Sequence, residues 1–187
     1  MRLLLYYHHS LYNRYLLSFM FKWFGLNRRW QVTARLEAIY IATAASQPMM
    51  HITSVEAVRD RGLRGDRYFK KTGFWKATDS CQVTLISAHD LSQAKRHSQL
   101  DFDNGSHRRN LVIDGIKTKV LAGRVFRIGD AVFRYQKPRP PCGYLDKIEG
   151  WGMAHALGRH SGVCLQVLRS GLLNIGDVIE IVEDDNY

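Results

Sequence analysis

The chain has 187 residues, 45% of them apolar and 24% charged, which suits one folded domain with a short extension and excludes a chain disordered throughout. A formal net charge of +10 favours an anionic partner such as phosphate, a lipid headgroup or nucleic acid, without choosing among them. Cys81, Cys142 and Cys164 cannot all pair and match no zinc or iron–sulfur spacing. That argues against a disulfide framework and against a cluster held by the chain itself, and it sets the expectation of a reducing, cytoplasmic setting.

The charge is unevenly spread. No acidic residue precedes Glu37, whereas Arg2, Arg14, Lys22, Arg28, Arg29 and Arg35 all do. Residues 1–33 read as a basic, aromatic helical extension, with Arg14, Ser18, Lys22 and Arg29 on one narrow stripe and Tyr12, Leu16, Phe19, Met20 and Trp23 opposite. The uncharged run between Arg14 and Lys22 falls far short of the ~20 residues that span a bilayer, and no signal-peptide cleavage site follows. One reading lays this helix in an anionic membrane surface. Apolar residues around so much of its circumference suit burial better, against its own barrel or across a homodimer interface. A start codon assigned too early is a third reading.

From Arg35 the pattern changes to short β segments broken by Gly, Asp and Pro. Strands are predicted over 36–42, 54–59, 81–87, 110–113, 125–128, 131–135, 163–168 and 178–182. Ile128-Gly129-Asp130-Ala131 supplies the turn of a tight hairpin. A helix is expected over 88–98 with Ser87 as its N-cap, and a shorter one over 153–157. The fold class is therefore mainly β: a closed or partly open β-barrel over 34–187, with a few short helices and the N-terminal helical extension.

Three clusters carry candidate chemistry. Gly62-Leu63-Arg64-Gly65-Asp66-Arg67 is a compact turn whose glycines allow close backbone approach; by itself it reads as a strained loop with Asp66 paired to Arg67. Arg108-Arg109-Asn110 precedes a strand and offers two guanidiniums and an amide to phosphate oxygens, though an isolated Arg-Arg is more often an exposed charge pair. In Lys137-Pro138-Arg139-Pro140-Pro141-Cys142-Gly143, three of the four prolines stiffen the backbone around one thiol, and Gly143 leaves room for a ligand. Lys137 and Arg139 add positive charge, which suits the thiolate, the form that attacks or binds metal. Cys81 and Cys164 sit in apolar strands and read as small buried hydrophobes.

Taken in order, these segments resemble the MOSC family, named for the C-terminal domain of molybdenum-cofactor sulfurase. The likeness runs from about Arg35 to Val182. It includes Gln82-Val83-Thr84-Leu85-Ile86, Leu121-Ala122-Gly123, Pro141-Cys142 with Leu145, Ser161-Gly162-Val163 and Gly176-Asp177 beside the three clusters. The resemblance implies a β-barrel that binds the molybdenum cofactor (molybdopterin) or carries sulfur for it. Cys142 would be the metal ligand and catalytic thiol, Arg108 and Asn110 would hold the pterin's phosphate, and Arg109, Asp66, Arg67 and Gly143 would complete the cofactor site. A thiolate is a soft ligand, appropriate to molybdenum or to a persulfide.

On that basis the expected function is the molybdenum subunit of a reductase for N-hydroxylated compounds, working with a small-molecule substrate and a separate electron-donor protein. The alternative is a sulfur carrier with a persulfide on Cys142, supplied by a cysteine desulfurase, because the pyridoxal-phosphate half of the sulfurase has no counterpart here. A basic barrel that binds nucleic acid ranks third: the positive charge gathers in the N-terminal segment, and no strand shows paired exposed aromatics. His8-His9, His155 and His160 show no metal-ligand spacing, and there is neither a nucleophile elbow nor a P-loop.

Overall fold

A computed structural model describes residues 34–74, 80–96 and 98–183; the helix expected over 1–30 lies outside them. The strands are β1 (Arg35–Ile41), β2 (Met50–Ile52), β3 (Ser54–Val58), β4 (Gly62–Leu63), β5 (Val83–Ser87), β6 (Leu111–Asp114), β7 (Val125–Ile128), β8 (Ala131–Pro138), β9 (Val163–Arg169), β10 (Gly171–Asn174) and β11 (Ile179–Val182). The helices are α1 (Ala88–Arg96), α2 (Gly143–Glu149) and α3 (Met153–Leu157). Among the described residues the fold is mainly β, as expected from the alternating pattern.

Eight strands form one mixed sheet in the order β11-β7-β8-β9-β5-β6-β1-β2, and β10-β3-β4 form a second. The large sheet is not closed. Its two ends approach at a seam where Arg35 bridges Val178, with Leu36 N donating to Asp177 O and Ile179 N to Ala34 O, each at 2.9 Å. Of the two alternatives left by the sequence, the partly open barrel is the one observed.

Every ladder is antiparallel except β5–β6, where Leu85, Ile86 and Ser87 face Leu111, Val112 and Ile113 in parallel. Parallel neighbours need a crossover, and α1 supplies it. Ser87 starts that helix by accepting from Asp90 N at 3.1 Å while its own hydroxyl donates to Asp90 Oδ2 at 2.8 Å, a reciprocal cap. Because side chains alternate along a strand, Leu85, Leu111 and Ile113 enter the barrel core with Phe126 and Phe133. Ile86 and Val112 point the other way, into a second core beneath the helices with Leu91, Phe102, Leu145, Met153 and Leu157. The pair β5–β6 is thus buried on both faces, as parallel strands usually are.

Four elements were not anticipated. Strands β2, β4 and β10 have only two to four residues each, too few for a period to register. The fourth, α2, begins immediately after Cys142, where no element was expected. Its signals are weak but present: Leu145 and Ile148 lie three apart, and Gly150 closes it at φ 116°. Cys81 precedes β5 instead of lying within it, yet it is buried, as is Cys164.

The turn from β3 to β4 requires its glycine. Gly62 has φ 108°, and a Cβ there would stand 2.4 Å from the Gln82 carbonyl oxygen. Gly62→Ala is expected to cost about 2 kcal/mol or more, read as a lower urea midpoint at unchanged slope.

Candidate functional site

The residues of the first two sequence clusters meet at a buried carboxylate. Asp66 is fully buried, and its Oδ1 accepts from Ala42 N (3.0 Å), Arg67 Nη1 (3.1 Å) and Asn110 Nδ2 (3.0 Å), while Oδ2 accepts from Tyr68 N (3.0 Å). Asn110 completes the clasp. Its amide also donates to Tyr40 O, and its Oδ1 accepts from the Thr84 backbone and hydroxyl at 3.1 and 2.8 Å. Both side chains are committed to protein partners, and neither lines the cavity beside Cys142. Their role is to fix the turn 62–68 and the entry to β6.

That clasp places three guanidiniums side by side. Arg67 reaches from Asp66 to the carbonyl of Arg108, 3.0 Å away. Arg108 sits in the left-handed region at φ 60°, and its Nη1 donates to Gln47 O (2.7 Å) and to the Glu149 carboxylate (2.8 Å). Arg109 takes the opposite direction and donates through Nε to Ser161 O at 2.5 Å and through Nη2 to the Ser161 hydroxyl. Among the described residues no carboxylate pairs with Arg109. Burial without such a partner pulls its guanidinium down to about 10, still charged at neutral pH.

His107 holds Arg109 in place. The Arg109 backbone N donates to its Nδ1 at 3.0 Å, which requires that nitrogen to be unprotonated. Burial, with the Arg109 charge acting in the same sense, pushes the imidazole down to about 3.

Cys142 stands at the turn from β8 into α2, partly exposed, with extended backbone (φ −134°, ψ 160°). It opens onto a cavity of about 600 Å³. The wall contains Arg67, Arg108, Arg109, Lys137 and Arg139 with Cys142 and, among the described residues, no carboxylate. Tyr68 forms another part of it: Arg139 Nη2 donates to the phenol oxygen at 3.2 Å, and Arg67 lies 4.6 Å over the ring. Burial pushes the Tyr68 phenol up from its ordinary value. At the mouth, Phe74 stacks on Tyr144, centroids 3.9 Å apart.

Of the seven residues singled out in the sequence, Cys142, Arg67, Arg108 and Arg109 therefore line one cavity. Asp66 and Asn110 lie behind it, and Gly143 opens α2 with open space around its Cα. Sequence reasoning did not find Tyr68, Tyr144, Phe74, Glu149 or His107, and it named Ser161 only as part of the family likeness, without a role. Only His107 carried a visible signal, a histidine directly before the arginine pair. His160 faces Asp90 at 3.1 Å, away from the cavity wall.

A family model for the MOSC domain matches residues 75–180, more than half of the chain. The chain belongs to the MOSC family. No curated protein sequence matches at a significant level. Among solved structures, the MOSC chain is similar to the YuaD protein from Bacillus subtilis, with 19% identity, 80% of this chain and 95% of that one covered, and a TM-score of 0.65. It is also similar to YiiM from Geobacillus stearothermophilus, with 15% identity, coverage of 80% and 75%, and a TM-score of 0.61. YiiM from Escherichia coli gives 19%, coverage of 80% and 70%, and 0.54. At these identities the likeness is one of fold.

The His107 geometry predicts a pH dependence. Its folded value of about 3 lies below the ordinary 6.5, so the unfolded chain binds the extra proton between those values. Its contribution is complete above pH 6.5 and is lost as pH falls toward 3, at up to about 1.4 kcal/mol per pH unit. Denaturant titrations at pH 7 and 5 are expected to lose roughly 2 kcal/mol more for the wild type than for His107→Asn, whose side-chain oxygen keeps an acceptor for Arg109 N.

Proposed function

We propose that the cavity receives the molybdenum cofactor, with Cys142 as the protein's ligand to the metal, and that the chain is the molybdenum subunit of a reductase for N-hydroxylated compounds. The observation that carries this reading is the shared wall: a thiol and a buried guanidinium that has no carboxylate partner among the described residues, Arg109, open onto the same hollow. A buried cation of that kind is offset best by a bound anion, and a pterin phosphate is one. The donor set fits as well. Among the described residues no three metal-ligating side chains gather, so a metal held by Cys142 has to arrive with most of its ligands already attached.

In this reading Arg109 takes the part first expected of Arg108 and Asn110, with Arg139 and Lys137 adding positive charge. Tyr68 and the Phe74–Tyr144 pair form the aromatic part of the hollow's lining. When bound, the cofactor supplies a two-electron redox centre; the chain supplies ligand, orientation and electrostatics. Electrons would come from a separate donor protein, since three cysteines leave the chain without a cluster of its own. Among the described residues no helix is long and apolar enough to cross a membrane.

Protein purified from a molybdenum-replete host is expected to hold molybdenum and pterin in equal amounts. Cys142→Ala should retain at least tenfold less metal, and Arg109→Ala at least tenfold less pterin, both measured by elemental analysis and pterin fluorescence (tenfold is about 1.4 kcal/mol of binding). Wild-type protein without pterin, whose Cys142 gains the mass of one sulfur atom from a cysteine desulfurase, would replace this reading with sulfur carriage.

A further inference from the structure

Helix α2 carries the thiol at its start and an acidic side chain at its end, and the two ends are fastened to adjacent residues of the β1–β2 loop, the start to Ser46 and the end to Gln47 by way of Arg108. Near the start, the Tyr144 hydroxyl lies 2.6 Å from the Ser46 hydroxyl. At the end, the Glu149 carboxylate receives Arg108 Nη1 at 2.8 Å, and that same nitrogen donates to Gln47 O at 2.7 Å. The ion pair is shielded, with the Arg108 side chain 6% exposed and Glu149 19%. Leu145 packs into the core beneath the helices, and Asp146 accepts from Ala154 N at 2.6 Å, which ties α2 to α3. Those two contacts hold the helix down, and the Ser46 and Glu149 contacts tie its two ends to the β1–β2 loop.

Arg108 is also part of the cavity wall, next to Arg109. Glu149 therefore acts on the cavity twice. It neutralises one of the wall's guanidiniums, and through seven residues of helix, about 10 Å, it sets where Cys142 stands. We propose that Glu149 is a positioning residue that fixes the Cys142 thiol at the cavity mouth and withholds Arg108 from anions entering it. The strap thus divides the basic wall. Arg109 is left for the ligand, and Arg108 belongs to the helix that bears the thiol. This division holds whichever soft atom the thiol meets, and it is testable on metal-free protein, so its failure would leave the cofactor reading intact.

Glu149→Gln separates this from a merely structural role because it raises two independent readouts, anion affinity and thiol reactivity. Removing the carboxylate charge frees Arg108, so inorganic phosphate is expected to bind metal-free Glu149→Gln three- to tenfold more tightly than wild type by calorimetry (tenfold being about 1.4 kcal/mol). The loosened helix is expected to expose the thiol, so that iodoacetamide alkylates Cys142 at least threefold faster, followed by mass spectrometry of its peptide. Glu149→Asp, which keeps the charge, should return phosphate affinity to within twofold of wild type, and it serves as the test if the glutamine variant does not fold. In that case the Asp variant, its carboxylate one methylene short of Arg108, should still alkylate faster than wild type. A glutamine variant that binds phosphate no more tightly than wild type, or whose Cys142 reacts no faster, overturns the proposal; so does an aspartate variant with unchanged alkylation when it alone is available.

Discussion

The whole site leans on one carboxylate taken out of water. Asp66 has no solvent exposure, and four donors from three separate stretches of chain converge on it. A buried charge of this kind is tolerable only when its lone pairs are filled, and here each filling draws in another element. Ala42 brings the end of β1, Tyr68 and Arg67 close the glycine turn, and Asn110 brings the entry to β6. Asn110 then passes the constraint on to Thr84 in β5. The clasp thus binds the crossover pair to the first strand, and the guanidiniums that line the cavity are set by it. Loss of Asp66 itself would take a partner from Ala42 N, Tyr68 N, Arg67 and Asn110 at once, so the carboxylate is the member on which the others depend most.

Charge in the cavity follows from this scaffold. Arg67 is balanced by Asp66 and Arg108 by Glu149, whereas Arg109 rests on a serine. The two balanced cations are structural fasteners. The third keeps an unspent field directed at whatever enters, strengthened by the low dielectric that burial creates. A neutral His107 behind it preserves that field without adding a competing charge at physiological pH.

Much of the barrel was legible in the sequence because half-buried strands alternate and turns carry glycine. The 125–128 and 131–135 hairpin arms were placed correctly for that reason, as were Ser87 and the 153–157 helix. Cys142 was legible through its proline-rich setting, and the arginine pair through its place before a strand. What stayed hidden is what arises from tertiary contact. Nothing in a linear reading marks Asn110 as part of a clasp, since that depends on Thr84 and Asp66 lying opposite it. Nor does the chain announce that Glu149 reaches Arg108 across 41 positions, or that Ser161 receives Arg109 across 52. The helix after Cys142 escaped because seven residues following three prolines offer little periodicity.

The parallel β5–β6 pair has a consequence for how the molecule comes into being. During synthesis β5 emerges long before β9, its antiparallel neighbour, which begins only at Val163. The seam of the sheet waits longer still, for Val178 to meet Arg35. Contacts this distant in the chain close late and slowly, because loop entropy must be overcome before any of them gains strength. The hollow beside Cys142 is assembled from stretches near residues 45, 67, 108, 137 and 142, so no nascent fragment ending before the last of these contains it. Any ligand of that hollow meets a complete wall only once the chain through Ile148 has been made.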